Sequence, residues 1–321
     1  MTHRLRRALW VVVLLSLCAG PAQAGGPVLS TDHQTTKSEA TLLGIFFRST
    51  QLGWAVGSGG TILKTVDGGA HWRKVSSGSS VLLTNVWFLN DRQGWAVGAN
   101  GTVRSTKDGG NTWALQASGT ESPLYGITFA SATHGWIVGG NGTVLHTSDG
   151  GATWKEQTSH TNAVLYAVHF SSVQRGVAVG AVGTVIATND GGATWSALEP
   201  FGGVTFFDVV FSDQVTGWAV GNAGALFHTT DGGQHWADRT FPCLQGCTKL
   251  TDLLRVRFTD PQTGWIVGER GTVYRTTDAG FSWQDAGSIA KVSLFGLSFP
   301  EPSQAWASGE KGTIVRFKTG K

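Results

Sequence analysis

Methionine occurs once in these 321 residues, cysteine three times, tyrosine three times and proline eight times. Three cysteines are too few for a disulfide-dense scaffold. A structural zinc needs about four ligands, and no His or Cys follows Cys243 and Cys247 at a suitable spacing. No metal site and no cofactor is expected. Charged residues make up 14% of the chain, and no stretch carries the helical period of an amphipathic bundle. The one long apolar run, Ala8 to Ala19, is too short to span a bilayer.

That run belongs to a leader. Arg4, Arg6 and Arg7 precede it, and Ala22-Gln23-Ala24 supplies a small-x-small cleavage pattern. Residues 1–24 therefore read as a secretory signal, with periplasm, thylakoid lumen or the exterior as destination. Two alternatives are Cys18 as a lipid-anchor cysteine, where bulky Leu17 sits in place of the small residue wanted, and Arg6-Arg7 as a twin-arginine signal, whose flanking residues do not fit. Without the leader, 24 Lys and Arg against 21 Asp and Glu become 21 against 21. No bulk charge argument for nucleic acid survives. Cys243 and Cys247 remain as an even pair, and in an oxidising compartment a disulfide between them is expected.

Glycine, at 46 residues, and tryptophan, at 14, are what the chain has instead. The pairs Gly53-Trp54, Gly94-Trp95, Gly135-Trp136, Gly176-Val177, Gly217-Trp218, Gly264-Trp265 and Ala305-Trp306 mark seven units. The step is 41 residues throughout, except for one of 47 between the fifth and sixth units. Each unit reads as four short strands separated by glycine-rich turns, as in LYGITF, GWIVGG, GTVLHT and TWKEQT over 124–158. A period near 40–45 residues with four strands per unit is the signature of propeller blades. The expectation is an all-β, seven-bladed β-propeller filling residues 25–321, with a cysteine-containing insertion at about 242–251. The seventh unit ends before a fourth strand, and VLSTDHQT (28–35) falls in the register of one. It is expected to close the ring from the N-terminus.

A second motif recurs six times, as in TSDGGATW (147–154), and carries Asp67, Asp108, Asp149, Asp190, Asp231 and Asp278. It falls between third and fourth strands. Thr and Asp oxygens can accept turn amides, glycine permits positive φ, and the tryptophan can cover the turn. A feature present in almost every blade is a fold device rather than an active site. The pattern is the Asp-box of sialidases and other propeller glycosidases. Glycan binding or sialidase-like hydrolysis is thus the alternative function, but the resemblance stops at the box. A sialidase needs an arginine cluster and a tyrosine nucleophile. Here Tyr125 and Tyr166 hold matching blade positions that are apolar elsewhere and read as core.

A longer stretch is more specific. GWAVGSGGTILKTVDGGAHW, GWAVGANGTVRSTKDGGNTW and GWIVGGNGTVLHTSDGGATW join the Gly-Trp strand, a Gly-Thr strand and the box. This combination resembles the photosystem II assembly and stability factors of cyanobacteria and chloroplasts, and their relatives in other bacteria. The resemblance covers about residues 29–321. It implies a monomeric, non-enzymatic lumenal or periplasmic propeller, peripheral to the membrane, that binds a protein. The implied partner is a membrane-protein assembly intermediate, a photosystem II reaction-centre precursor in a phototrophic host.

For a docking surface, strand alternation puts two columns on the axis: Gly44, Asn85, Gly126, Ala167, Asp208, Arg255, Gly296, then Phe46, Trp87, Thr128, His169, Val210, Arg257, Ser298. An Asp208–Arg255 pair between neighbouring blades is expected. A third-strand column, Lys64, Ser105, His146, Ala187, His228, Arg275 and Arg316, reads as solvated edge protection. The insertion shares one end of the ring with the turns GERG (268–271) and GEKG (309–312). Loops on a rigid scaffold carry specificity, so Arg255, Arg257, Glu269, Arg270 and Lys311 are the candidate partner-binding residues.

Overall fold

In the computed structural model, which describes residues 29–241 and 250–319, the chain forms seven four-stranded antiparallel sheets. In the first blade the strands are Leu42–Phe47, Gly53–Gly57, Thr61–Thr65 and Arg73–Val75, in that spatial order. The second strand of every blade is buried along its whole length or nearly so, for instance Gly94–Gly98 and Gly135–Gly139. Its Trp or Val, small residues and flanking glycines let neighbouring blades approach closely. Leader residues 1–24 and the pair Cys243 and Cys247 lie outside the described residues.

The ring closes as the register of the N-terminal segment predicts. Ser30–Gln34 pairs with Ile314–Lys318 as the outermost strand of the seventh blade. Arg316 donates to Asp32 at 2.7 Å, and the Thr36 hydroxyl donates to the Gly312 carbonyl at 2.8 Å. The seventh blade thereby gains the fourth strand that the other six have, and its outer edge is a short, exposed strand like theirs.

Blades are joined by aromatic contacts that cross from each unit to the next. Trp54 of blade one stacks on Phe88 of blade two at 3.5 Å, and Phe88 meets the box residue Trp113 edge-on at 5.8 Å. Trp95, Phe129 and Trp154 repeat this, as do Trp136, Phe170 and Trp195. Trp306, Phe47 and Trp72 repeat it across the ring closure. The Trp54 indole N–H also donates to the box carbonyl of Gly109, 3.1 Å away in the next blade. Trp95, Trp136 and Trp306 donate likewise to Gly151, Gly191 and Gly68. The box glycine is constrained twice. Gly151 has φ +77°, and a Cβ there would lie 2.3 Å from the Trp95 ring. Blade four carries Val177 instead of tryptophan, and Trp236 of the following box then bonds its own Gly233 carbonyl at 3.1 Å.

Candidate functional site at the mouths of the axial channel

One backbone irregularity builds the site. In every blade the first strand loses register with the second after its first residue: Leu42 pairs with Gly57 and Gly44 with Val56, leaving Leu43 unpaired. The same bulge leaves out Thr84, Tyr125, Tyr166, Phe207, Leu254 and Phe295. A bulge re-aims its extra side chain. These residues, together with Leu82 and Arg255, line a cavity of about 350 Å³ at one mouth of the channel. Tyr125 and Tyr166 lie 5.2 Å apart, and Tyr166 meets Phe207 at 6.0 Å. Burial pushes the Tyr125 phenol upward. Both tyrosines are half-buried at this mouth rather than in the core where the sequence put them.

The bulge also corrects the expected axial columns. Simple alternation carries the Gly44 column to the axis, but a Cβ at Gly44 would lie 2.9 Å from the Asn85 backbone and one at Gly126 3.2 Å from that of Ala167. That column sits at the seam between neighbouring first strands. In blades five and six the seam holds Asp208, whose side chain is 5% exposed, and Arg255. The shortest contact is not the expected one. Arg257 approaches one Asp208 carboxylate oxygen at 2.6 Å, and the Val256 N–H donates to that same oxygen at 3.0 Å, while Arg255 stands 3.8 Å from the other. Arg255 donates to the Phe207 carbonyl at 3.2 Å. His169 is pushed down to about 4, by burial first and by Arg257 second, so it is neutral at neutral pH.

At the other mouth Phe46, Trp87, Asn85, Arg257 and Ser298 are among the residues lining a second cavity of about 330 Å³. This separates Arg257 from the other four candidate partner-binding residues. Glu269 is half-buried, its carboxylate accepting the Asp252 N–H at 3.3 Å, whereas Arg270 and Lys311 are exposed at turn tips beside the first mouth.

The six recurrent turns are closed hydrogen-bond circuits. The Thr147 hydroxyl donates to Asp149 at 2.7 Å and accepts the Gly151 N–H at 2.9 Å, while Asp149 accepts the Thr153 N–H at 2.9 Å and hydroxyl at 2.6 Å. The N–H and ring of His71 hold Asp67 at about 2, and the Thr194 hydroxyl and N–H do the same to Asp190. In Asp231 burial works the other way, but hydrogen bonds from His235 win and the carboxyl again sits at about 2. Asp108 and Asp149 are held well below the usual range, first by the hydroxyls of Thr112 and Thr153. In Asp278 burial opposes the shift, and Ser282 prevails. A carboxyl depressed on folding contributes stability that is fully present above its unfolded value and lost as pH falls through the folded one. The melting temperature should therefore fall as pH drops from about 4 to about 2. Asp149→Asn should start lower and lose less over that interval, measured by circular dichroism. An unchanged acid slope in a variant with several boxes neutralised would contradict this.

The family model of the photosynthesis system II assembly factor YCF48 matches residues 29–114, 114–199 and 242–318. The chain belongs to that family. Among solved structures, "YCF48 bound to D1 peptide" is similar at 22% identity and a TM-score of 0.75, over 94% of this chain and 100% of that one. YCF48 from Cyanidioschyzon merolae is similar at 20% identity and a TM-score of 0.73, over 90% and 98%. A streptogramin B lyase shares the fold at 10% identity and a TM-score of 0.72, over 90% and 97%. No curated protein matches the chain by sequence.

Two features of this YCF48-family propeller escape sequence reading. The third-strand basic column is not solvated edge: Lys64 is 7% exposed and His228 8% exposed. Each residue of that column lies opposite the tryptophan position of the second strand, as Lys64 opposite Trp54. His228 stacks on Trp218 at 4.1 Å and Arg275 lies 5.1 Å over Trp265. Lys64 donates to Asn111 at 3.0 Å, and burial pushes its ammonium down. The second feature is strain at the turns between second and third strands. Their tips all take positive φ, but blades one to three place Gly59, Asn100 and Asn141 there, and blades four to seven place Val182, Ala223, Arg270 and Lys311. Positive φ in a β-branched residue is a genuine outlier, and Val182 is 72% exposed at such a tip.

Proposed function

We propose that this chain is an exported, non-catalytic scaffold that binds a protein partner, a membrane-protein assembly intermediate, on the face carrying the second-to-third-strand turns. The family match carries the reading. One structure similar to this chain is a YCF48 bound to D1 peptide, so a protein of this fold takes a peptide. The leader over residues 1–24 directs the chain to the periplasm or lumen, where Cys243 and Cys247 form a disulfide in the insertion. The box carboxylates are each engaged in their own turn, and a lone acidic residue, Asp208, lies between two arginines. Neither supplies the free carboxylate pair that glycoside hydrolysis requires.

Three observations favour the chosen face. Strained tips concentrate at functional surfaces, and the four unfavourable ones fall on consecutive blades. Arg270 and Lys311 are exposed there, and Leu250, the first described residue after the insertion, packs beside Gly224 of a turn on the same face. Arg270→Glu with Lys311→Glu should lower capture of the partner after crosslinking in the native membrane fraction, by an amount that shrinks with added salt. The melting temperature should move little, since surface charge changes cost within about 0.5 kcal/mol. Lys107→Glu, exposed at the opposite end, is the control. Equal capture by the reversed and parent proteins would move the site to another face, and hydrolysis of a glycan dependent on one acidic residue outside the boxes would end the non-catalytic reading.

A further inference from the structure

The cavity ringed by the seven bulged side chains has a composition of its own. Six of those residues are Leu, Tyr or Phe and the seventh is Thr84, and among the described residues Arg255 is the only charged one lining it. At about 350 Å³ it falls at the small end of ligand sites, which run from about 300 to 1,000 Å³. That is room for one ring or one branched aliphatic group.

The charges behind this wall do not balance. Asp208 supplies one negative charge to two guanidinium groups. Arg257 takes the nearer oxygen, which also accepts the Val256 N–H. Arg255 remains 3.8 Å from the other oxygen, and its hydrogen bond among the described residues goes to a neutral carbonyl, Phe207. His169 contributes no charge at neutral pH. A guanidinium carries five N–H donors, and a cation 85% shielded from water but only half-neutralised is held at a cost that an incoming anion removes.

We propose that this mouth binds a carboxylate carried on a compact apolar group, with Arg255 pairing the carboxylate and Tyr125, Tyr166, Phe207 and Leu254 enclosing the apolar part. Arg pairs carboxylate with two parallel N–H bonds. The apolar wall selects against strongly hydrated anions such as sulfate or phosphate, whose water must be removed on entry. Two sources offer this chemistry: the C-terminus of a protein chain ending in an apolar residue, or a free organic acid. The inference goes beyond the scaffold role and stands on the mouth geometry alone.

Calorimetry on the mature full-length protein tests it with three probes: an acetylated tetraglycyl-leucine with free carboxylate, the same peptide as C-terminal amide, and 4-methylpentanoate. Both carboxylates should bind, with the amide weaker by about tenfold or more, the loss of one charge-assisted contact. A peptide tighter than the free acid identifies a chain terminus as the source, and the reverse identifies a small acid. Arg255→Gln should abolish the preference for acid over amide. Tyr166→Glu, at a half-exposed wall position outside the ion cluster, should abolish acid binding in a folded ring and covers the case in which Arg255→Gln does not fold. Acid and amide binding alike, no binding of any probe at millimolar concentration, or undiminished acid binding by folded Tyr166→Glu would each overturn the proposal.

Discussion

Trp306→Ala should destabilise the ring by about 3–5 kcal/mol, the usual range for deleting a fully buried tryptophan. Trp306 is fully buried, stacks on Phe47 at 3.9 Å and donates to the Gly68 carbonyl at 3.3 Å. All of these contacts join the last blade to the first. The substitution removes the apolar area, the stacking and the acceptor's partner together, at the one seam that chain connectivity supports only through the segment after Gln34. A midpoint lowered by several degrees or more is expected in thermal unfolding. The seam between blades four and five shows what compensation requires: blade four has Val177 in place of the tryptophan, and Trp236 of blade five donates to its own Gly233 carbonyl instead. Trp72 is held by Gln34 at 3.1 Å and is not free to do the same. A change below about 1 kcal/mol would mean that the seam relaxes and that the repeated stacks do not set ring stability.

Asp208→Asn should be comparably severe for the opposite reason. The substitution preserves shape but removes the only negative charge between Arg255 and Arg257, whose side chains are 15% and 35% exposed. Breaking a buried ion pair by removing one partner costs about 3–5 kcal/mol, because the remaining charge stays desolvated. Arg257 is open enough to recover some solvation, so the lower half of that range is expected. Arg257→Gln alone should cost less, since Arg255 stays within reach of the carboxylate. The double variant should recover part of the Asp208→Asn loss in denaturant unfolding. Additive losses would show that the two arginines do not share the carboxylate.

The recurrence of Gly-Trp at fixed spacing made the blades legible, because each second strand must bury a large ring between glycines that permit close approach. The closing strand was legible from register, although its apolar pattern is poor and all but one of its residues are exposed. The mouth was not. A bulge occupied by Leu43, Thr84, Tyr125, Tyr166, Phe207, Leu254 and Phe295 has no residue preference that sequence could betray, and strict alternation therefore aimed the Gly44 column at the axis, while members of the Phe46 column do line a mouth. Lys64 and His228 were misplaced because charge alone reads as solvated. Their position opposite a tryptophan was available from strand spacing and would have indicated stacking. The Trp54 to Gly109 hydrogen bond spans 55 residues and joins two blades, which no local pattern encodes.

The pairing of Ser30–Gln34 with Ile314–Lys318 has a temporal meaning. These partners are the first and nearly the last described segments to leave a ribosome or an export channel, Asp32 and Arg316 standing 284 positions apart. Blades one to six can each form from sequence already delivered, since their contacts are within a unit or to the next one. The seventh sheet can be completed only when the C-terminal strand arrives, and until then the N-terminal strand waits unpaired with its backbone donors and acceptors open. Every molecule in transit thus carries two complementary sticky ends. Whether they meet each other or those of a neighbouring chain is decided by effective concentration, so slow or crowded delivery should favour strand-exchanged oligomers over single rings.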